Sequence, residues 1–524
     1  MKKLVYWGIG KIGKDCLKYY PEKVPELIID SNCIDREWNG IPICRPETVT
    51  DWKSLFVVIT VVKSASIKEY LKKKGLTENI DFQDYKDFLN VYSEKAEENI
   101  LRLRSAISEN SDLTNRTLLI VNVFNIRQSE IFINFLNQYA EKKKCVVIMW
   151  RGVIPEKQVY EKLNFPAFCC INIPYPEGKE QEAELVDKTE ETVLPAEDLI
   201  WLKELENRKQ GTKNEQFWKY LIQLYWYQEK IIHIFNPREV VIWGGWEYRR
   251  SIYGYLCEKY HIPYGYMEYG WLPGTYQVEP RGFAGLGESV GLSNPEKDVD
   301  FEKINEIKQY ITSRKLDTNT FSVNLEEEKI FRLIDGRKKT VFLVGMDDYG
   351  MAINPDSAYW KKYISSAVSS TKEAYEICKK ICKKYNWNFI FKPHPNSERK
   401  NKIADEDGES ITFQDMQIDK LIEKADVAVS IASAVNYKVL LYDTPLVQIG
   451  FTTLTGKECC YEAKTKEQIE DNLVRAMEQG MTKRQRENFD RHLSVLLDHY
   501  LWDDLSEREL RYGQTFDRDF PLKY

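Results

Sequence analysis

A lysine and a histidine follow one short apolar segment of this sequence and could together bind an anion. Asn388-Phe-Ile-Phe391 leads directly into Lys392, Pro393, His394 and Pro395. The prolines restrict the backbone on both sides of His394, whose imidazole can carry a proton or donate a hydrogen bond near neutral pH. We therefore expect Lys392 and His394 to face the negative charge of a phosphate.

A second segment, rich in small residues, follows another predicted strand at Val427–Val429. It contains Ser430, Ser433 and Asn436 and leads into a predicted helix. Small residues allow backbone N–H groups at a helix N-terminus to approach a phosphate closely. We expect these three side chains to contact the phosphate or base of a nucleotide; the alternative is an ordinary helix cap. Lys and His can balance the negative charge of a phosphate without a metal, so we predict neither a metal site nor a required cofactor.

Carboxylates that could act on a sugar hydroxyl lie in the middle of the chain. Glu268 and Glu279 flank a loop that contains glycine and proline, and one could be a general base while the other orients the hydroxyl. Glu247 is a third candidate. Each could instead form an ion pair with a nearby arginine, so both interpretations stay open. Asp347 and Asp348 follow another predicted strand, where we expect a solvated turn rather than a metal site.

The first residues of the chain fit a dinucleotide-binding pattern. Gly8, Gly10 and Gly13 lie between a predicted strand and a predicted helix, and Asp30 ends the next predicted strand, where a ribose hydroxyl would bind. This predicts a bound nucleotide or sugar. The alternative is that the glycines only permit a tight turn in a domain without a ligand.

Composition narrows the class of protein. The chain has 524 residues, a net charge of −6 and no basic cluster typical of nucleic-acid binding. Its length suggests about three domains, and its apolar runs are shorter than the roughly 20 residues that span a bilayer. The 11 cysteines contain no C-x-x-C pair, which favours free thiols in a reducing compartment. We therefore expect a cytoplasmic protein.

Alternating strand and helix patterns predict α/β domains throughout. We expect a Rossmann-like module at 1–95, a helical linker at 96–114, an α/β domain at 115–300 and a second linker at 301–335. A third α/β domain at 336–485 and a helical tail at 486–524 complete the prediction.

Two longer motifs resemble a known family. The first motif is Val240-Val-Ile-Trp-Gly244-Gly-Trp-Glu247-Tyr-Arg249-Arg250, and the second is Glu268-Tyr-Gly270-Trp271-Leu272-Pro-Gly-Thr275-Tyr-Gln-Val-Glu279. Both are similar in order and spacing to motifs of the bacterial capsular polysaccharide synthesis family, which includes Kdo (3-deoxy-manno-octulosonic acid) transferases. Lys392-Pro-His394-Pro395 and the segment from Ser430 to Pro445 match its second half. The resemblance covers roughly residues 115–480. Gly245 replaces the family's Asp, and Pro273 replaces its Arg.

The resemblance implies a fold and a function. The fold is a GT-B-like pair of Rossmann-like domains, the two-domain architecture of many glycosyltransferases, preceded here by a small additional Rossmann-like domain. The implied activity is metal-independent transfer of a sugar from a nucleotide-sugar, with CMP-Kdo as a candidate donor, to a cell-surface polysaccharide or glycolipid. The implied setting is the inner face of the cytoplasmic membrane, with peripheral membrane association and partners in a polysaccharide assembly complex.

Two alternatives remain open. One is a CDP-glycerol-type glycerophosphotransferase of teichoic acid synthesis, a group that also has a His-Pro step and a Ser-rich turn. Its Asp-Tyr-Ser-Ser pattern is absent here, because this chain has Val429-Ser-Ile-Ala-Ser433. The other is a non-catalytic glycan-assembly protein with a degenerate transferase fold, which Gly245 in place of Asp makes plausible.

Overall fold

The computed structural model describes residues 2–19, 23–32, 36–61, 64–88, 96–121, 129–150, 162–170, 194–208, 215–245, 248–291, 299–316, 333–348, 357–394, 403, 409–413, 416–516, 519–520 and 522. Two compact units make up the chain. The first contains Met1–Leu113 and Ile120–Pro174, and the second contains Thr114–Leu119 and Tyr175–Tyr524.

The first unit begins with a six-stranded sheet in the order β3-β4-β2-β1-β5-β6. Its strands are β1 (Lys3–Trp7), β2 (Leu27–Ile29), β3 (Glu37–Trp38), β4 (Ile41–Cys44), β5 (Leu55–Ile59) and β6 (Phe82–Asp84). Its helices are α1 (Lys11–Tyr19), α2 (Ala65–Lys73) and α3 (Tyr85–Phe88), and α4 (Ala96–Glu109) follows. The described strands of this sheet pair in parallel except β3 with β4, which are antiparallel. The sheet has Rossmann-like strand order, with β1 at the point where the order reverses.

A second group of strands completes the first unit. Helix α5 (Ser129–Lys143) leads to β8 (Val146–Trp150), which pairs in parallel with β9 (Ala167–Cys170). Strand β7 (Thr117–Val121) lies next to β8, and its last two residues belong to this unit.

The second unit contains two sheets. The first of them, which we call the middle sheet, includes the start of β7 and continues with β10 (Glu239–Trp243), β11 (Tyr264–Tyr269), β12 (Thr275–Glu279) and β19 (Leu501–Asp503), in that spatial order. Strand β12 is antiparallel to both of its neighbours. The helices along this part of the chain are α6 (Ala196–Arg208), α7 (Glu215–Phe235), α8 (Tyr248–Lys259), α9 (Glu288–Gly291) and α10 (Phe301–Ser313).

The other sheet, which we call the third sheet, has the order β15-β14-β13-β16-β17-β18, and every pairing in it is parallel. Its strands are β13 (Thr340–Val344), β14 (Asn388–Lys392), β15 (Ile411–Thr412), β16 (Val427–Ser430), β17 (Leu446–Gln448) and β18 (Tyr461–Glu462). Its helices are α11 (Ala358–Tyr363), α12 (Thr371–Tyr385), α13 (Ile418–Lys424), α14 (Val435–Leu441), α15 (Lys466–Gln479) and α16 (Lys483–His499). Renumbered along the chain, the order is 3-2-1-4-5-6, which is that of a dinucleotide-binding Rossmann sheet, and it reverses between β13 and β16.

A shared apolar core connects the two sheets of the second unit. Trp271 and Leu272, in the loop after β11, belong to the same buried cluster as Tyr437 of α14. The rings of Trp271 and Tyr437 stack with centroids 5.3 Å apart. The Tyr437 hydroxyl lies 2.9 Å from Nε2 of the buried His492 on α16. Aromatic packing therefore fixes the loop that follows Glu268 against the helix that follows the Ser-rich turn.

The α/β fold class is confirmed, because the described residues form three sheets whose strands alternate with helices along the chain, and two of these sheets have Rossmann-like strand order. The tail predicted to be helical is helical only as far as His499; Leu501 and Trp502 are then fully buried in β19, beside β12. A three-residue strand is too short to be recognised by its periodicity. Within the described residues, the helices lack the length or the apolar character needed to cross a membrane.

The turn after β1 generates the first prediction. Gly8 has φ +111°, and a Cβ built on it would lie 2.4 Å from Val61 Cγ1. Gly10 has no atom within 4 Å of such a Cβ. We expect Gly8→Ala to lower the free energy of unfolding by about 2 to 4 kcal/mol through backbone strain and steric overlap, whereas Gly10→Ala changes it by less than about 1 kcal/mol. Urea unfolding followed by far-UV circular dichroism measures both; equal effects would contradict this account of the turn.

Candidate functional site

The carboxyl edge of the third sheet brings the predicted anion-binding residues into one row. Val344 at the end of β13 is in register with Lys392 on one side and with Ser430 on the other. Ser430 is in turn in register with Gln448, the last residue of β17. Ligands of open α/β sheets bind beyond the carboxyl ends of the strands, where the strand order reverses. The row crosses that reversal, between β13 and β16.

Gly345 lets the ends of β13 and β14 come together. Its N–H donates a hydrogen bond to the carbonyl of Lys392 at 2.8 Å. A Cβ at this position would lie 2.9 Å from three atoms: the His394 nitrogen, the Lys392 carbonyl oxygen and the Pro393 Cα. Glycine is therefore the residue that allows the backbone of His394 to lie beside β13.

The side chain of His394 lies near a carboxylate at this edge. Its Nδ1 is 3.9 Å from Oδ2 of Asp347, and the imidazole is 36% exposed. Burial lowers the pKa of His394, the negative charge of Asp347 opposes that shift, and the positive charge of Lys392 adds to it. The ring thus lies between groups of opposite charge, and its protonation responds to both.

Asp348 is a helix-capping residue rather than part of a solvated turn. Its side chain is buried, and its two oxygens accept hydrogen bonds from the N–H and the hydroxyl of Thr371, each at 2.8 Å. Burial raises the pKa of Asp348, and the bonds from Thr371 oppose that shift. The expectation of a solvated turn is therefore wrong for Asp348. Asp348 faces the start of α12, whereas Asp347 faces His394.

Ser430 and Ser433 lie where the sequence predicts, after β16. Ser430 is 1% exposed, and its Oγ has no hydrogen-bond partner among the described residues. A buried hydroxyl without a partner is uncommon in a folded protein and requires an explanation. Ser433 Oγ accepts a hydrogen bond from the N–H of Val435 at 3.2 Å, so this side chain shapes the turn before α14. Helix α14 has seven residues, too few for a strong helix dipole, so the side chains at this edge carry more of the argument.

Asn436 belongs to a buried amide and hydroxyl network. Its Nδ2 donates to Gln448 Oε1 at 3.3 Å, and Gln448 is bonded in turn to Thr452 and Thr455. The other amide atom, Oδ1, is buried without a partner in the described part of the chain. Asn436 therefore ties α14 to the end of β17, and its Oδ1, like Ser430 Oγ, has no partner among the described residues.

Glu268 lies beside an arginine at the carboxyl edge of the middle sheet. Burial raises the pKa of Glu268, and the Arg250 guanidinium opposes that shift. Gly244 has φ +70°, and a Cβ on it would lie 2.0 Å from Arg250 Nη1, so the glycine makes room for the arginine. The half-buried rings of Trp243 and Tyr269 pack edge to face with centroids 5.1 Å apart, and burial together with the charge of Glu268 raises the pKa of Tyr269. Glu268 has the environment of a tuned acid–base group.

The other predicted carboxylates are not placed in this way. Glu279 is 2% exposed, and its Oε2 accepts a hydrogen bond from the Glu288 N–H at 2.9 Å, which ties β12 to α9. Burial and this hydrogen bond give Glu279 a structural role, and a catalytic role for it stays a prediction. Glu247 lies outside the described residues, as does Pro395. The role of Glu268 as a general base also stays a prediction.

The glycine turn of the first unit is explained largely by packing. A Cβ on Gly13 would lie 2.2 Å from the Gly8 carbonyl oxygen, so both glycines serve the tight turn. Asp30 Oδ2 accepts a hydrogen bond from the Ile9 N–H at 2.9 Å, and Oδ1 accepts one from Asn32 at 2.8 Å. The predicted ribose carboxylate thus braces the turn that would bind the pyrophosphate. A nucleotide or sugar bound by Gly8, Gly10, Gly13 and Asp30 stays a prediction.

Sequence reasoning missed the neighbours of the two central residues. Asp347 comes near His394 from a strand more than forty positions earlier in the chain, and only the adjacent ends of β13 and β14 make them neighbours. The glycine after a buried strand, Gly345, was the available signal for such an approach. The sequence suggests Arg250 only as an ion-pair partner; in the structure, burial raises the pKa of Glu268 and the charge of Arg250 opposes that shift.

Comparison with known proteins gives only remote similarities. No family profile matches the chain, and no curated relative matches it. Among solved structures, the chain is similar to Thermosulfurimonas dismutans KpsC, a β-Kdo 2,4 transferase, with TM-score 0.36 and 12% identity over 50% of this chain and 80% of that one. The KpsC β-Kdo 2,7 transferase of the same organism gives TM-score 0.31 and 13% identity over 50% and 88%. The UDP-GlcNAc 2-epimerase of Methanocaldococcus jannaschii gives TM-score 0.33 and 12% identity over 72% and 99%.

The close approach at Gly345 can be tested directly. We expect Gly345→Ala to destabilise the protein by about 1 to 3 kcal/mol, because the added methyl overlaps backbone that cannot move independently. Gly336→Ala, before the same strand, is the control, since a Cβ there meets no atom within 4 Å. Urea unfolding compares the two. If the two variants are equally stable, Gly345 is not what brings the ends of β13 and β14 together.

Proposed function

We propose that the chain is a glycosyltransferase that moves a sugar from a nucleotide-activated donor to a glycan or glycolipid acceptor. The observation that carries the proposal is the group of residues at the carboxyl edge of the third sheet: Lys392, His394 and the hydroxyl of Ser430, which has no hydrogen-bond partner among the described residues. A cation, a proton donor and a hydroxyl at such an edge suit a phosphate. Ser433 shapes the adjoining turn, and Asn436 holds α14 to the end of β17 through Gln448.

The leaving nucleotide defines the role of the third sheet. When the bond between the anomeric carbon and the phosphate oxygen breaks, negative charge develops on the phosphate. His394 would donate a hydrogen bond to that charge, and Lys392 would neutralise it. Groups held in place before the reaction stabilise the transition state more than the ground state. No step in this scheme needs a metal.

The acceptor would bind at the middle sheet. Glu268 would take the proton from the attacking hydroxyl as the new glycosidic bond forms, and its raised pKa favours that transfer near neutral pH. The rings of Trp243 and Tyr269 offer apolar surface beside it for a sugar. Glu279 and Glu247 are not assigned a catalytic role in this scheme.

The finer identity of the substrates rests on the family resemblance. The motifs from Glu268 to Thr275 and from Lys392 to Pro395 favour CMP-Kdo as the donor to test first, with a cell-surface polysaccharide or lipid-linked glycan as acceptor. We extend the proposal to a place at the inner face of the cytoplasmic membrane, beside partners of a polysaccharide assembly complex.

His394 provides the direct test of the transferase. We expect His394→Ala to lower turnover by at least about a hundredfold, because one transition-state donor contributes roughly 10² to 10³ in rate. The thermal midpoint should change little, since the side chain is partly exposed. Nucleotide release from CMP-Kdo and a panel of UDP- and CDP-activated donors measures turnover, with the exposed His499→Ala as control. Full turnover in His394→Ala would refute the assigned role, and absence of nucleotide release from every donor by the unmodified chain would favour a non-catalytic protein.

A pH profile tests Glu268 as the base. Its carboxyl must be deprotonated, so turnover is present above its pKa and is lost as pH falls through that value. Arg250 holds the pKa down, and removing the charge in Arg250→Met should move the acidic limb of the profile to higher pH.

Arg249→Met is the matched control for this profile. The Arg249 guanidinium lies over the ring of Tyr248 instead, so its removal should leave the acidic limb in place. An acidic limb that does not move in Arg250→Met would exclude Glu268 as the group that controls it.

A further inference from the structure

We propose that Asp347 is the positioning residue for His394: its carboxylate faces Nδ1 of the imidazole and leaves Nε2 to donate to the departing phosphate. The proposal rests on the proposed function and names a residue for which the sequence predicts only a solvated turn. Three observations carry it: the approach of the two side chains, the rigidity of the backbone that holds each of them, and the charges on either side of the ring.

The first observation is the direction of the ring. Asp347 Oδ2 lies 3.9 Å from Nδ1, so the carboxylate is on the side of the imidazole that carries that nitrogen. A carboxylate near one ring nitrogen favours a proton there and sets which nitrogen remains for the ligand. Nε2, on the opposite edge of the ring, is then the atom that meets the phosphate.

The second observation is that both residues follow fixed backbone. Asp347 lies between Gly345, which is hydrogen-bonded to Lys392, and Asp348, which caps α12 through two bonds to Thr371. His394 follows β14 and is packed against Gly345 through its own backbone nitrogen. These contacts hold the backbone segments that carry the two side chains. The pair is therefore built into the edge of the sheet.

The third observation is the balance of charge. Among the described residues, Asp347, after β13, and Lys392, at the end of β14, are the charged groups that shift the pKa of the ring, and Ser430 across the reversal point carries no charge. Burial and Lys392 favour the neutral imidazole, whereas Asp347 favours the protonated form. The Asp347 carboxylate thus favours protonation of the imidazole, although the lysine that attracts the phosphate opposes it. Removing the charge of Asp347 should therefore lower the pKa of His394, and removing the charge of Lys392 should raise it.

Histidine titration by NMR tests this without any donor or acceptor. The chain has only five histidines, so selectively ¹³C-labelled histidine gives few signals, and His394→Asn identifies the one of interest. We expect Asp347→Asn to lower the pKa of His394 by roughly half a unit to one unit, and Lys392→Met to raise it. Asp443→Asn, which removes a half-exposed carboxylate at the far end of α14, should leave it unchanged. Asp347→Glu, which keeps the charge, should restore most of the normal value.

The outcomes separate this proposal from that of the transferase. An unchanged or raised pKa in Asp347→Asn would overturn the role of Asp347, whether or not the chain transfers a sugar. If Asp347→Asn does not fold, the other two variants still test the charge balance. An unchanged pKa of His394 in Asp347→Glu together with a raised one in Lys392→Met would support it. A lowered pKa of His394 in Lys392→Met would overturn it. Where turnover is measurable, Asp347→Asn should lower kcat tenfold or more. KM should change little, because Lys392 is still present to bind the donor phosphate.

Discussion

The hydrogen bond from the Gly345 N–H to the Lys392 carbonyl is the constraint on which the candidate site depends. It extends the pairing of β13 and β14 one residue beyond their last strand positions, and it is possible only because Gly345 has no side chain. The positions of Asp347 and His394 follow from it, since Asp347 lies two residues after one partner and His394 two residues after the other. The chemistry therefore depends on a backbone contact rather than on a direct bond between the functional groups.

The polar residues around this contact divide into two sets. Asp348 and Gln448 are fully used in holding helices and loops to the sheet, through Thr371 on one side and Thr452 and Thr455 on the other. Ser430 Oγ and Asn436 Oδ1 are equally buried but lack partners in the described part of the chain. An unpaired buried oxygen costs about 1 to 3 kcal/mol, and proteins retain such atoms chiefly where a ligand or water completes them. The first set supports the edge of the sheet, and the second set contains the atoms that we propose to contact a ligand.

The sequence was sufficient to predict the parallel sheets and the residues at their carboxyl ends, because strand periodicity and flanking prolines are local signals. Lys392, His394 and Ser430 were found in this way. Contacts between distant segments were not predictable: Asp347 near His394 requires knowledge of which strands are adjacent, and the burial of Glu279 requires the packing of α9 and a returning strand. Asp30 shows a further limit, since a residue in the right place for a ribose can instead brace its own turn.

Strand β19 has a consequence for the order in which this protein folds. Residues 501–503 complete the edge of the middle sheet beside β12, although more than two hundred residues, including the whole third sheet, lie between the two strands. During synthesis, the third sheet can close as soon as β18 and its following helices have emerged, since all of its strands are then present. The middle sheet cannot close at that point, because its last strand, β19, leaves the ribosome after β18 and the two helices that follow it. The half that we assign to the acceptor is thus finished after the half that we assign to the donor, so a ribosome-bound chain can hold a completed nucleotide site beside an unfinished acceptor site.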